Sequence, residues 1–491
     1  MRKLLLASVA VLSGTVGLAS VASAQLLNTT NTAAPGTPAA AIPVYGSAGA
    51  PGTDIPGFGP PLSPGTYTVR LGGRLVGYAG VGADSGQNPG YVNGTAKSLG
   101  TATNTKLTSY GIGEYARLFP SVDAVAANGL KYGAFLEIRA DNGAAPGGGA
   151  NGSVGGANPT RGELYYRRET IYLGTDQAGF VRVGSTDQPT SLFITGTFEN
   201  FDDGGWNSNV YNAYPTTSGS QPTYPFPDVS ALYTPNKIVY LSPKFANLVD
   251  FGVSFAPDSG NVSPGIGNCP YANTSTSGAG CDTTQSTSVG AETKRNRNIL
   301  DAVVRFRTAT GPVGIATTLG GIYAGHVEYN GTLPTTEQAL YNNLAVFDWG
   351  GQVTFGGLAV GGHVDYGQFN TGWTPQPQGG RDALAWIAGT SYQFGSAVVG
   401  VSYFNVQNSG YWNSTVANGV GRTFNQSGLA AGGTLTIAPG LYGFVSYLYG
   451  DKHQSGVDLL TGTAGSTSSG PYVTHNNTQA QSLIVGTRVA W

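Results

Sequence analysis

Apolar and polar residues alternate along this chain from residue 66 onwards. One face of the first segment carries no charge and consists of Tyr67, Val69, Leu71, Gly73, Leu75, Gly77, Ala79 and Val81. The opposite face begins with Thr68, Arg70, Gly72 and Arg74. Alternation with a period of two predicts a β-strand. An uncharged face opposite a basic face indicates lipid outside and water inside, although the strand of a soluble sandwich also alternates.

The same alternation recurs, and the repetition favours the membrane interpretation. Later segments place charged residues between apolar ones, and we assign these charged positions to the inside: Lys131, Glu137, Arg139, Asp250, Asp301, Arg305, Arg307, His363, Asp365 and Arg488. Short turn sequences such as Thr310-Gly311-Pro312 alternate with long polar loops near 83–104, 142–163 and 186–235. Short periplasmic turns alternating with long extracellular loops are typical of a transmembrane β-barrel.

The pattern predicts an all-β fold, a 16-stranded antiparallel transmembrane β-barrel over residues 66–491. The expected strand starts are Thr66, Leu107, Leu130, Leu164, Phe180, Asn236, Val249, Asn298, Val313, Leu344, Leu358, Asp382, Ala397, Arg422, Leu441 and Ala480. The second and fourth segments alternate weakly, so counts of 14 or 18 strands stay open as alternatives. Sixteen strands leave an aqueous lumen.

Two further segments precede the predicted barrel. Residues 1–24 combine Arg2 and Lys3, an apolar run, and Ala22-Ser23-Ala24, which predicts a secretory signal peptide. A single-span anchor is the alternative, but the apolar run is short for a bilayer. Residues 25–65 are rich in Pro, Ala and Gly with few charges, which predicts a disordered periplasmic extension.

Composition narrows the class of protein. Charged residues make up only 10 % of the chain, against 77 glycines and 27 tyrosines. This scarcity of charge disfavours soluble domains and suits a wall that faces lipid. A formal net charge of −2 gives no sign of a nucleic-acid partner.

Cys269 and Cys281 are the only cysteines, and both lie in a Ser/Thr/Gly-rich stretch. Two cysteines in one loop of an exported protein predict a disulfide. Two unrelated thiols are the alternative. A metal site is not expected there, because no further cysteine or histidine is nearby.

Four segments resemble the general Gram-negative outer-membrane porin family. They are 128–131, 168–184, 236–243, and the stretch from Leu483 to the aromatic Trp491. The resemblance implies a water-filled channel for passive diffusion of small hydrophilic solutes and ions, a third loop folded into the barrel, and a homotrimer without cofactors in outer-membrane lipid. It also implies that Trp491 is presented to the barrel-assembly machinery. Ser185 departs from the family, which usually has arginine there, and residues 198–205 only approximate the family's constriction motif.

A constriction site follows from the inward-folded loop. Its predicted members are Glu199, Asp202 and Asp203 in the loop, and Arg70, Arg74, Arg139, Arg168 and Arg182 on the wall. Facing acids and bases across a narrow aqueous gap would order polar solutes and set ion preference. In the alternative, the acids lie on a solvated extracellular loop and the arginines pair locally within the wall.

Arg167 and Glu169 are unusual because the predicted register turns both outward. Charge facing mid-bilayer lipid costs about 2–4 kcal/mol. These residues therefore lie near the aqueous rim or, as the family resemblance suggests, at a trimer interface.

Two other classes of function are alternatives to a channel. A structural or adhesive barrel could have a plugged lumen. A membrane-embedded hydrolase could hide a nucleophile among many serines, but no enzyme is expected, because the four histidines are scattered without metal-ligand spacing and Gly147-Gly148-Gly149 lacks the lysine of a phosphate loop.

Overall fold

The computed structural model describes most of the chain from residue 63 to its last residue. The described ranges are 63–84, 109–141, 165–196, 236–258, 296–326, 342–370, 378–410, 423–455 and 476–491, with residues 205, 206, 222, 224, 373, 376, 457–459, 463 and 464 between them. The predicted signal peptide, nearly all of the predicted extension, and Cys269 and Cys281 lie outside these ranges.

Sixteen antiparallel strands form one closed barrel, in which each strand pairs with its neighbours along the chain and the last pairs with the first. The barrel strands are β1 (Thr66–Asp84), β2 (Tyr110–Val125), β3 (Lys131–Asp141), β4 (Tyr165–Thr175), β5 (Gly179–Ser185), β6 (Asn236–Leu241), β7 (Val249–Asp258), β8 (Asn296–Thr310), β9 (Val313–His326), β10 (Leu344–Phe355), β11 (Leu358–Gln368), β12 (Ala383–Phe394), β13 (Ala397–Asn408), β14 (Phe424–Ala438), β15 (Leu441–Gln454) and β18 (Asn477–Ala490). The predicted fold and strand number are confirmed, and every predicted start lies within three residues of the observed one.

Three short elements lie outside the barrel ladder. Helix α1 (Pro189–Leu192) follows β5, and the two-residue strands β16 (Val457–Asp458) and β17 (Thr463–Ala464) pair only with each other. Across the ranges described above, no helix is long and apolar enough to cross a membrane.

The two faces of each strand are solvated differently, as the alternation predicts. On β1, Val69 and Leu71 point outward and are 65 % and 64 % exposed, whereas Arg74 and Val76 point inward and are 3 % and 0 % exposed. The outward face is apolar because lipid, rather than water, is its solvent. The inward face is covered by side chains and by loop segments that enter the barrel.

The barrel closes where Trp491 meets β1. Its backbone N–H donates to the carbonyl of Gly73 at 3.1 Å, and its carbonyl accepts from Gly73 N–H at 3.1 Å. The indole ring lies over Gly73, where a Cβ atom would fall only 2.8 Å from the ring atom Cε2. A residue with a side chain at position 73 would therefore displace the indole.

Candidate functional site

The third loop, residues 186–235, turns from the end of β5 onto the inner wall. Its first turn is helix α1, whose Pro189 packs against Gly252 of β7. The backbone N–H of Thr190 donates to Asp301 Oδ1 of β8 at 3.1 Å, and the Thr190 hydroxyl donates to Oδ2. Asp301 is buried, so these bonds satisfy a carboxylate that would otherwise destabilise the wall.

Phe193 continues the loop along the wall after α1. Its ring is fully buried against Val239, Leu241 and Val303 of β6 and β8. The guanidinium carbon of Arg305 lies 4.0 Å from the ring centroid, which is a cation–π contact. The apolar Phe193 side chain therefore packs the loop against strands that otherwise carry inward charges.

Thr195 and Gly196 bring the loop to β10 and β11. The Thr195 carbonyl oxygen lies 2.9 Å from His363 Nδ1. Gly350 lies beneath this carbonyl, and a Cβ atom at Gly350 would collide with it. Gly196 has a φ of 83° and lies against the backbone of both strands, so only glycine fits there without strain.

Trp206 and Tyr224 place later parts of the loop against the opposite strands. The Trp206 indole N–H donates to the Leu429 carbonyl of β14 at 3.1 Å. The rings of Trp206 and Tyr224 meet Phe404 of β13 edge-on, at centroid distances of 6.0 and 5.7 Å. The Trp206 indole lies over Gly428, which lacks a side chain to displace it. The described parts of the loop therefore contact the inner wall at separate points between β6 and β14.

A chain of buried charges holds the start of this loop. Arg168 of β4 donates from Nε to Asp187 at 2.9 Å and also pairs with Glu137 of β3. Arg139 Nε lies 2.5 Å from Glu137 Oε1. Asp187 and Glu137 are at most 1 % exposed, so each needs its guanidinium partner.

A second ionic group lies at the periplasmic end of β7 and β8. Asp250 accepts from Arg305 Nε at 3.0 Å and from Arg307 at 2.9 Å. In the adjoining turn, partial burial and repulsion by Arg307 and Arg305 lower the pKa of Lys244 to about 8. Lys244 therefore loses its positive charge as the pH rises through 8, which lowers the positive charge at the periplasmic end of the barrel.

The predicted constriction arginines all lie on the inner wall. Arg70 pairs with Asp123 of β2 at 2.5 Å, and Arg74 lies 5.6 Å from the ring of Tyr115. Arg139, Arg168 and Arg182 are buried. Where ion pairs are observed, the partners are on the same strand, on a neighbouring strand or at the base of the loop, as in the local-pairing alternative. Glu199, Asp202 and Asp203 lie outside the described residues, so their opposition to the arginines stays a prediction.

A β-bulge in β4 gives different orientations to Arg167 and Glu169, which were both predicted to point outward. Glu137 lies opposite Arg168 and Ile138 opposite Tyr166, so Arg167 is the extra residue. Its guanidinium lies 3.6 Å from Glu137 Oε1, a contact that differs from the outward orientation expected for Arg167. Glu169 is exposed on the outer face as expected. A bulge shifts the alternation by one residue, which strict period-two reading does not anticipate.

A second segment, the connection after β11, also contacts the inner wall. Trp373 stacks on Phe369 with ring centroids 5.4 Å apart, and its carbonyl accepts from Asn296 Nδ2 at 3.1 Å. Both rings are buried in one apolar cluster with Trp206 and Tyr224 of the third loop. Sequence reasoning missed this cluster, because the expected lumen was polar throughout.

Sequence reasoning also missed some acidic partners on the inner wall. Asp187 and Asp348 were not singled out, although Asp348 is a lone acid in an otherwise uncharged strand. His363 and Asp365 were placed inside but treated as isolated. The structure brings these last two together with Asp348 into one buried group.

Comparisons with known proteins give one matching family and several similar solved structures. A family model described as Gram-negative porin matches residues 7–458. The anion-selective porin from Comamonas acidovorans is 17 % identical, with 87 % of this chain and 100 % of that chain covered and a TM-score of 0.46. The outer-membrane channel DcaP of Acinetobacter baumannii is 11 % identical, with 87 % and 99 % covered and a TM-score of 0.47. In-vitro folded OmpT of Vibrio cholerae, in its trimer form, is 12 % identical, with 87 % and 99 % covered and a TM-score of 0.45. No curated protein matches the sequence.

Proposed function

Since the chain belongs to the Gram-negative porin family, we propose that its third loop controls an outer-membrane diffusion channel from the inner wall. The family and the closed 16-strand barrel support an outer-membrane channel for the passive diffusion of small hydrophilic solutes. The observation that carries the proposal is the path of the third loop. Thr190, Thr195 and Trp206 contact β8, β11 and β14, so the loop crosses the lumen side of about half the barrel.

We propose that Glu199, Asp202 and Asp203 extend from this loop into the pore, between the seats of Thr195 and Trp206. They would face the basic side of the wall, which contributes Arg70, Arg74, Arg139, Arg168 and Arg182. Several of these arginines already have acidic partners. The loop acids would therefore determine how much of the remaining positive potential in the pore is offset. Rings of like charge near a constriction determine whether cations or anions pass more easily.

Planar-bilayer recording of the purified protein tests this proposal. The wild type should open a conducting channel without added energy source or cofactor. Neutralising the three acids together, as E199Q/D202N/D203N, should shift the reversal potential in a salt gradient toward anions. The shift should shrink in 1 M salt, where the Debye length falls to about 3 Å.

Asp176→Asn serves as the matched control. Asp176 is in the periplasmic turn after β4 and pairs with Lys131 at 2.7 Å. Its neutralisation should leave the reversal potential unchanged. If the reversal potential of the triple variant is unchanged, the third loop does not line the constriction. A wild-type barrel that never conducts would favour the plugged, structural or adhesive alternative.

The family supports a channel rather than an enzyme. We propose further that the chain catalyses no hydrolysis, since its buried His363 is held between two carboxylates and a backbone carbonyl. Turnover of lipid or peptide substrates by the purified barrel would contradict this.

We also propose a homotrimer that packs through the wall around β4. Glu169 is exposed on the outer face there, and a neighbouring subunit would shield its charge from lipid. Sedimentation of the purified protein in mild detergent should give three chains per particle. A particle of one chain would contradict the proposal, and Glu169 would then have to lie at the aqueous rim. Arg167, the other residue predicted for this interface, has its guanidinium beside Glu137, so Glu169 carries the proposal.

Five further proposals concern segments outside the described ranges or partners in the cell. We propose that residues 1–24 are a cleaved signal peptide, that 25–65 form a periplasmic extension, and that Cys269 and Cys281 are bonded. We propose also that outer-membrane lipid covers the apolar outer face and that the assembly machinery recognises Trp491.

A further inference from the structure

Three chemically reactive side chains meet on the inner wall beneath Thr195. Asp348 of β10 and Asp365 of β11 are direct cross-strand partners, and both point inward. His363 lies two residues before Asp365 on the same face. Its Nε2 atom lies 2.8 Å from Asp348 Oδ2 and 3.5 Å from Asp365 Oδ1. All three residues are fully buried.

Two carboxylates placed directly opposite each other on one face destabilise a sheet unless a positive charge lies between them. Burial strengthens the repulsion, because the surrounding dielectric is low. In the part of the chain that the structure describes, three carboxylate oxygens have no hydrogen-bond partner: both oxygens of Asp365 and Oδ1 of Asp348. Three of the four oxygens of the pair therefore lack the donors that buried carboxylates normally have.

The contact with Thr195 restricts what His363 can contribute. A carbonyl oxygen only accepts hydrogen bonds, so Nδ1 must carry the proton that it donates to Thr195. In a neutral imidazole, Nε2 then presents its lone pair toward the two carboxylates. Donation of the second ring N–H to a backbone carbonyl is the usual orientation of a histidine that ligates a metal.

We propose that His363 Nε2, Asp348 and Asp365 bind one divalent transition-metal cation, with Zn²⁺ as the best match. Nitrogen and carboxylate oxygen are both common zinc ligands. One ligand atom from each residue lies within 4.8 Å of the other two, which is compatible with tetrahedral spacing after small side-chain adjustments. Two carboxylates and a neutral imidazole carry two negative charges, which one divalent cation neutralises.

The site would connect the wall with the third loop. The cation fixes the imidazole ring, and the ring holds the Thr195 carbonyl above Gly350. Binding would therefore stabilise the inward position of the loop in addition to neutralising the carboxylates. Ligands that bind only the folded state raise its stability in this way.

Metal binding to the purified, folded barrel tests the proposal directly. Metal-free protein in detergent is titrated with Zn²⁺ by calorimetry, and one high-affinity site per chain is expected. Asp365→Asn should weaken this binding by at least tenfold, because it removes an anionic ligand and nearly preserves shape. His363→Gln should abolish it. The control His453→Gln replaces an exposed histidine on β15 and should bind as the wild type does.

X-ray absorption at the zinc edge of the wild type supplies a readout that does not depend on a variant folding. The expected first shell contains one imidazole nitrogen and oxygen ligands at about 2.0–2.2 Å. Sulfur scattering would place the metal on Cys269 and Cys281 and would overturn the proposal. So would the absence of binding in the wild type, or unchanged binding in D365N. If no metal binds, a proton on His363 Nε2 would bridge Asp348 and Asp365 instead.

Discussion

The inner wall has two sectors that hold the same loop by different means. The charged sector, β3 to β8, carries inward residues of both signs, among them Glu137, Arg168, Lys237 and Asp301. The uncharged sector, β12 to β14, contains no Asp, Glu, Lys or Arg on either face. The third loop starts on the first sector through ion pairs and reaches the second through the rings of Trp206 and Tyr224.

This difference separates two requirements of a channel. Buried ion pairs fix orientation, but each charge depends on its partner, so they fail sharply when one partner is lost. Aromatic contacts depend on area and shape, so they tolerate changes in pH and salt. The charged sector can therefore set the field of the pore, while the uncharged sector holds the far part of the loop without adding to that field.

The largest effect is expected at the charged sector, for Arg168→Met. The change leaves Glu137 and Asp187 without a shared partner and should lower the free energy of unfolding by about 3–5 kcal/mol. Urea unfolding in lipid vesicles measures it. Arg70→Met is the control, because the Arg70 side chain is 40 % exposed and such pairs contribute about 0–1 kcal/mol. Equal losses in the two variants would mean that the buried pairs of Arg168 contribute no more than an exposed pair, which would contradict the account of the charged sector.

A smaller effect is expected at the uncharged sector, for Trp206→Ala. Loss of the buried indole should cost about 2 kcal/mol or less of the free energy of unfolding, since a loop relaxes more easily than a strand. Release of the loop should also raise single-channel conductance and current noise. The control Trp349→Ala changes a residue on the lipid side that is 46 % exposed. Quiet, unchanged currents in the Trp206 variant would show that the ring does not hold the loop.

The sequence predicted the barrel well because the signal is local. Most lipid-facing residues are apolar, so alternation within one strand locates that strand without knowledge of its neighbours. Turn glycines added the boundaries: Gly395, with a φ of 55°, separates β12 from β13 as the sequence Phe394-Gly395-Ser396 predicts.

The candidate site was predicted less well because its contacts are not local. Asp348 lies opposite Asp365 only through the register of β10 and β11, which alternation does not determine. The contact of Thr195 with His363 spans 168 positions. The inward contact of Arg167 follows from one extra residue in β4, and no feature of the Arg167 neighbourhood in the sequence marks a bulge.

The contact between Trp491 and Gly73 closes the barrel, and barrel closure must come late in folding. The ladder that seals the wall joins β1 to β18, the strand synthesised last, over eleven pairs from Arg74↔Ala490 to Asp84↔Ala480. No cylinder can exist until that strand arrives, so both edges stay open during synthesis and export. Pairings over such a sequence separation form slowly, and open edges invite association with other chains. Weakening the seal, for example by filling the space at Gly73, should therefore slow maturation more than it changes the finished channel.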